Sequence, residues 1–201
     1  ESETLVIASG GLSIPKLGAT PFAYRLAEQF KIPIVAPRAG LVPLTFTEDD
    51  LVWMRPLSGV SADVRVSLGK TAFREAALFT HKGLSGPAIL QISSYWTPGQ
   101  TITVDWLPDA DEGVLAARKR ERPKAMLKTV VGELLSDRLA DVLGEKLPQG
   151  AIGDMKDATL AEAARALKAW PLKPHGKEGY AKAEVTVGGV STDALSQQTM
   201  E

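Results

Sequence analysis

Thr4-Leu-Val-Ile-Ala-Ser-Gly-Gly-Leu-Ser-Ile-Pro-Lys-Leu-Gly18 is the stretch from which the fold of this chain is read. Residues 5–8 form a short continuous apolar run, the pattern of a strand buried on both faces. The run stops at Gly10-Gly11, where the missing Cβ atoms let the backbone turn sharply or lie directly against a ligand. A buried strand opening into a Gly-Gly loop is how many α/β nucleotide-binding domains present main-chain N–H groups to a cofactor. A tight turn after an ordinary core strand is the alternative. Downstream, Thr20 as N-cap and Pro21 as first helical residue predict a helix whose Phe22, Leu26 and Phe30 share one stripe. Strand then helix is half of a βαβ unit, so residues 1–32 read as a fragment of a doubly wound sheet.

From residue 33 the texture changes. Short β-prone runs occur at 34–36, 41–46, 60–68 and 101–106, punctuated by Pro and Gly. Val60, Ala62, Val64, Val66 and Leu68 alternate with polar residues, which predicts a half-buried strand. Leu68-Gly-Lys-Thr71 is the turn into the next strand. One helix interrupts this region, with Ser85-Gly-Pro87 as its cap and first turn and Thr97-Pro-Gly99 as its stop. Residues 33–110 therefore read as a small antiparallel, barrel-like β module. Residues 111–180 read as helical: a short basic helix over 114–121, one amphipathic helix over 123–143 ending at Gly144, and a helix over 160–169 opened by the capping box Thr159-Leu-Ala-Glu162. Residues 183–187 then predict a strand that enters a second pair, Gly188-Gly189. The fold class is α+β, and the order suggests a domain inserted between two ends that lie close together.

Composition narrows the function classes. The 201 residues are 44% apolar and 23% charged, with a net charge of −1, as for a globular domain. A balance near zero offers no basic field for nucleic acid or anionic lipid, so no nucleic-acid and no membrane partner is expected. No run approaches the length that spans a bilayer. Cysteine is absent, which fits a cytoplasmic setting and excludes disulfides, thiolate nucleophiles and Cys-ligated metals in these residues. The two histidines, His81 and His175, have no metal-ligand spacing, and no metal is expected. The basic run Arg118-Lys-Arg-Glu-Arg122 reads as a solvated helix face, given the acidic residues beside it.

Four blocks carry a family likeness. They are Ala8-Ser-Gly-Gly-Leu-Ser-Ile-Pro-Lys-Leu-Gly-Ala-Thr20, Pro43-Leu-Thr45, Phe79-Thr-His-Lys-Gly-Leu-Ser-Gly-Pro-Ala-Ile-Leu90 and Thr186-Val-Gly-Gly-Val-Ser-Thr192. Together they resemble the BaiN/YhiN-type NAD(P)/FAD-dependent oxidoreductases, flavoproteins with a two-dinucleotide-binding-domain architecture. The resemblance implies an insert domain flanked by remnants of a Rossmann-like FAD-binding domain, with residues 181–201 as the return strand into it. It implies an enzyme that passes hydride from NAD(P)H through FAD to an organic acceptor, a small-molecule substrate. The family's G-x-G-x-x-G turn, which seats the FAD pyrophosphate on a helix N-terminus, does not occur in this sequence. The chain thus resembles an interior piece whose partner is the remainder of its own FAD-binding domain, and which alone is expected to be inactive and to retain no FAD.

The resemblance assigns Ser9, Gly10, Gly11, Thr186, Gly188 and Gly189 to the cofactor. The short Gly-hinged turn before the Ser85 helix supplies substrate-binding candidates, Thr80, Lys82 and Ser85, and one catalytic candidate, His81, as a proton donor. The competing role for His81 is to hydrogen-bond backbone and fix that turn. A module that recognises a substrate or protein without catalysis is the alternative function.

Overall fold

The alternation at 60–68 is realised in the computed structural model, which describes residue 3 and residues 5–199. In the order of the chain, α1 is Phe22–Gln29, β1 Ile34–Gly40, β2 Leu44–Thr45, α2 Glu48–Met54, β3 Ser61–Leu68, β4 Thr71–Thr80 and β5 Gly83–Ser85. Then come α3 Pro87–Ser93, β6 Ile102–Asp105, α4 Val114–Glu121, α5 Leu127–Gly132, α6 Asp137–Gly144, α7 Asp157–Lys168, β7 Trp170–Leu172, β8 Gly176–Lys177 and β9 Val185–Val190.

Val64 and Val66 point inward from β3 and are fully buried, while Arg65 between them is exposed. Gly69, at φ +58°, and Lys70 turn the chain so that Leu68 faces Thr71 and β4 returns along the whole of β3. Gly first in a two-residue loop suits a turn whose twist matches the strands. The sheet runs β7-β6-β3-β4-β5-β2-β8, with each neighbouring pair antiparallel. Its two edges, β7 and β8, belong to one segment joined by Lys173–His175. That segment pairs with β6 through its first part and with β2 through its second, which curls the sheet into a barrel. Inside, Phe79 stacks on Trp106 with ring centroids 5.7 Å apart, and α3 presents the buried Ala88, Ile89 and Ile92. The helices share this core: Leu115 of α4, Val130 and Val131 of α5, Leu139 and Leu143 of α6, and Leu160 and Leu167 of α7 join one continuous apolar cluster with the barrel.

Tertiary context changes several local expectations. Residues 5–8 form no strand. They are irregular, with Leu5 78% and Val6 85% exposed. An apolar run becomes a strand only beside a neighbour that satisfies its backbone, and no such neighbour lies among the described residues. Pro21 is the N-cap of α1 rather than its first residue, and no side chain caps that helix. The helix expected over 123–143 is two helices, broken between Gly132 and Ser136, with Ser136 as N-cap of α6. The α7 helix begins at Asp157, so Thr159 lies inside its first turn and the expected capping box does not form. Two strands, β7 and β8, come from the stretch expected to be helical. The strand expected at 183–187 is β9, with both Gly188 and Gly189 within it.

The β1 and β9 strands form a separate two-stranded ladder. It meets the barrel where Glu184 N–H donates to Leu41 C=O and Glu178 N–H to Pro43 C=O. The end of α3 fastens this junction: Ser94 Oγ accepts from Leu41 N, Ser93 Oγ accepts from Val42 N, and the Arg38 and Lys177 cations donate to the Ser94 and Ser93 carbonyls. Cations suit the negative end of a helix. Burial, together with repulsion from Arg38, lowers the Lys177 pKa.

Candidate functional site

Thr186 gathers the two glycine pairs. Its Oγ1 accepts from Leu12 N at 2.9 Å and from Ser13 N at 3.2 Å, and meets Ser13 Oγ at 3.0 Å. The loop after Gly10-Gly11 is thereby tied to β9, about 174 residues away in the chain. A Cβ on Gly11 would sit 2.5 Å from that Oγ1, so Gly11 is the residue that lets the loop close on Thr186. Gly10 is different. It has φ +70° with nothing within 4 Å of a Cβ, and it faces open space beside the exposed Ser9.

Gly188 answers to packing. It stands opposite Ala36 and Pro37, where the β1–β9 register shifts between Val35 and Arg38. A side chain there would strike the Val35 and Ala36 carbonyls at 2.9 and 2.8 Å. Pro37 has no N–H to give the ladder, and a bulge is where a sheet accommodates it. Gly189 lies beside the ring of Tyr24 on α1. A Cβ on Gly11 would lie 3.3 Å from the Tyr24 hydroxyl. Tyr180 completes the group: its C=O accepts from Ile14 N, and its hydroxyl is buried without a hydrogen-bond partner. Burial first, and the nearby Tyr24 second, push the Tyr180 phenol above its ordinary value. The sequence reading passed over both tyrosines, since nothing in their local pattern marks them.

The turn between β4 and β5 lies elsewhere. Strand β2 leaves the junction at Pro43 and ends at Thr45, where Gly83 and Gly176 flank it. Thr80 Oγ1 accepts from Lys82 N, and Lys82 C=O accepts from Phe46 N. Lys82 Nζ is 3.3 Å from Glu178, whose side chain is 12% exposed. His81 is exposed, and His175, whose N–H donates to Thr45 C=O, is exposed on the other side of β2. The structure therefore brings both histidines to one end of β2 and the glycine pairs to the other. Ser85 is a strand residue, and Gly86 is the N-cap of α3. A Cβ on Gly86 would meet Ala76 C=O and Leu78 N, so that end of α3 is packed against β4 and is not open to an anionic group.

A cleft of about 370 Å³ separates the barrel from the helices; its walls include Asp63, Trp106, Asp109, Leu134 and Leu139. The Trp106 Nε1 is also buried without a partner. Among the described residues no group of three or more His, Asp or Glu is placed to hold a metal, and no helix is long and apolar enough to cross a membrane. Of the residues at the glycine junction, Gly10 leaves room for the close approach of a flavin. They do not fit its pyrophosphate, for which the sequence has no G-x-G-x-x-G turn.

Comparison with known proteins places these features. The family described as "HI0933-like protein barrel and H2TH domain" matches residues 38–185, which run from β1 through the barrel and helices to the start of β9. The chain is 42% identical, over its full length, to the ribosomal RNA dihydrouridine synthase of Haemophilus influenzae, and covers 51% of that protein. It is 44% identical over 99% of its length to the ribosomal RNA dihydrouridine synthase of Escherichia coli, again covering 51%. The chain thus spans about half the length of the curated relatives it matches. Their names overturn the expectation that no nucleic acid is a partner. That expectation rested on net charge, which sums the whole surface and is blind to where charge sits. The basic run at 118–122 is largely neutralised all the same: Arg118 pairs with Glu121, Lys119 with Asp157 and Arg122 with Glu133. The chain belongs to the HI0933-like barrel and H2TH domain family.

Proposed function

We propose that this chain is the barrel-and-helix part of a flavin-dependent oxidoreductase whose acceptor is a uracil ring in ribosomal RNA. The observation that carries the reading is 42–44% identity, along essentially the whole chain, to two proteins named ribosomal RNA dihydrouridine synthase. Forming dihydrouridine adds a hydride and a proton across the C5=C6 bond of uracil. FAD, reduced by NAD(P)H, supplies the hydride when bound.

The exposed apolar residues support the idea that more chain packs here. Leu5, Val6, Ile7, Ile14, Leu17, Phe22, Phe30, Val35 and Val185 are all exposed, and all lie before or beside the β1–β9 ladder. Such a concentration marks a surface meant for burial. Gly10, Gly11, Thr186 and Gly189 are the residues of this chain that would meet the cofactor, with Ser9 at the margin and Gly188 holding the strand geometry behind them. His81, Lys82 and Thr80, at the far end of β2, are placed to meet the RNA rather than the flavin.

The test uses the protein extended to the length of its relatives. Incubated with NAD(P)H and ribosomal RNA lacking the modification, it is expected to retain FAD and to add two hydrogens to a uridine, read by mass spectrometry of the digested RNA. Retained flavin without RNA reduction overturns the choice of acceptor. Failure to retain flavin or oxidise NAD(P)H favours a non-catalytic recognition module.

A further inference from the structure

Two cations meet the end of α3 with no carboxylate to neutralise them. Arg38 donates to Ser94 C=O at 2.6 Å and Lys177 to Ser93 C=O at 2.5 Å, on consecutive residues. Neither has an ion-pair partner among the described residues. Tyr95 follows Ser94 directly and is 56% exposed. Its ring lies 5.8 Å from the half-buried Phe73 ring of β4, tilted by 39°. An aromatic neighbour thus steadies the ring, while its exposure leaves π surface open to a further partner. Lys70, in the turn that opens β4, is exposed and likewise has no ion-pair partner there. Glu75, on the same face of β4 as Phe73, bounds the patch on the side away from Lys70. The surface therefore runs from Arg38 through Tyr95 and Phe73 toward Lys70. Open aromatic rings between unneutralised cations are the arrangement that holds single-stranded nucleic acid, bases on the rings and phosphates on the cations.

We propose that Tyr95, backed by Phe73, is a stacking platform for an unpaired base of RNA, with Arg38 and Lys70 taking phosphates on either side. The inference rests on the function proposed above and deepens it by naming where the RNA strand lies. A uracil that reaches a flavin must leave its own stack. The bases beside it then need new stacking partners, and an aromatic side chain supplies one. Arg38 belongs to β1, which pairs with the strand that carries Thr186 and Gly189. The platform thus borders the ladder to which the cofactor residues belong.

The test uses the protein extended to the length of its relatives, with the variants Tyr95→Ala, Tyr95→Phe, Arg38→Gln and Lys70→Gln. Binding of a single-stranded, uridine-containing oligoribonucleotide is measured over a series of salt concentrations, alongside flavin content and melting temperature. Tyr95→Ala is expected to bind the RNA about fivefold to a hundredfold more weakly, the loss of one base stack. Tyr95→Phe keeps the ring face and should stay within about twofold of the parent. Arg38→Gln and Lys70→Gln should each flatten the slope of log affinity against log salt by about 0.7, the loss of one phosphate contact to a single strand. Unchanged RNA binding by Tyr95→Ala overturns the inference, and so does a parent that binds no RNA. Equal weakening by Tyr95→Phe and Tyr95→Ala overturns it as well, since the hydroxyl and not the ring face would then matter. A loss of flavin or melting temperature in Tyr95→Ala, with RNA affinity per folded molecule unchanged, shows that the remainder of the chain packs on this face and removes the platform. A parent that binds RNA and is weakened by Tyr95→Ala, yet never reduces uridine, supports the platform and removes the proposed reaction.

Discussion

Ser13 and Thr186 touch twice, through the Ser13 amide at 3.2 Å and the Ser13 hydroxyl at 3.0 Å, both on Thr186 Oγ1. One β9 side chain thereby sets the position of a loop with no regular structure of its own. Thr186→Val keeps the shape and removes the acceptor. It is expected to cost about 1 kcal/mol and to raise hydrogen exchange at the Leu12 and Ser13 amides while leaving the barrel strands protected. Equal loss of protection in β3 and β4 would show that the contact supports the whole fold instead.

The glycines of the first pair should respond differently to the same change. Gly11→Ala drives a methyl to 2.5 Å from Thr186 Oγ1 and should release the loop, with about 1–3 kcal/mol lost. Gly10→Ala meets no atom and should show only the strain of a positive φ, about 1–2 kcal/mol, with the Leu12 amide still protected. Exchange at Leu12 in the two variants separates them.

Gly83 is where the barrel is least tolerant. At φ +143° it faces the Leu44 carbonyl and the Phe46 ring, so that Gly83→Ala combines strain with a collision against backbone. A loss of about 3 kcal/mol or more is expected by urea unfolding. The neighbouring His81→Ala, at an exposed position, should stay within about 0.5 kcal/mol of the parent. If His81→Ala destabilises as Gly83→Ala does, the histidine holds the turn and leaves the proposed RNA contact.

Asp157 opens α7 and takes a hydrogen bond from Lys119 Nζ at 2.8 Å. That bond, and then the charge attraction, hold its pKa below the ordinary carboxylate value. Because the folded value is the lower one, the pair supports the fold above the ordinary carboxylate range, and the support is lost as pH falls through the folded value. Lys119→Met should return the Asp157 midpoint, followed by NMR, to the ordinary range. An unshifted midpoint would mean that the pair does not persist in solution.

The 201-residue chain should purify colourless, without the ~450 nm band of bound flavin, because the pyrophosphate cradle is not among its residues. A stoichiometric yellow complex would show that the glycine junction alone is enough to hold the cofactor.

Local pattern determined much of this molecule. The alternation around Val64 and Val66, the Gly69 turn and the helix start at Pro87 are written in periods and breakers that depend on neighbours in sequence, and the structure carries them as elements. The family likeness likewise lay in contiguous blocks. Tertiary structure decided what contiguity does not hold. Residues 5–8 have the composition of a buried strand and are exposed, because a strand exists only with a partner to satisfy its backbone. Ser136 and Gly132 divided an amphipathic stretch that periodicity alone reads as one helix, because both halves bury a face against the same core. Ser13 and Thr186 lie 173 positions apart and bond only because the tertiary fold returns β9 beside the first loop, while the two histidines are gathered at the opposite end of β2. Pairing between distant strands places side chains that no local spacing can relate, which is why the elements were legible and the site was not.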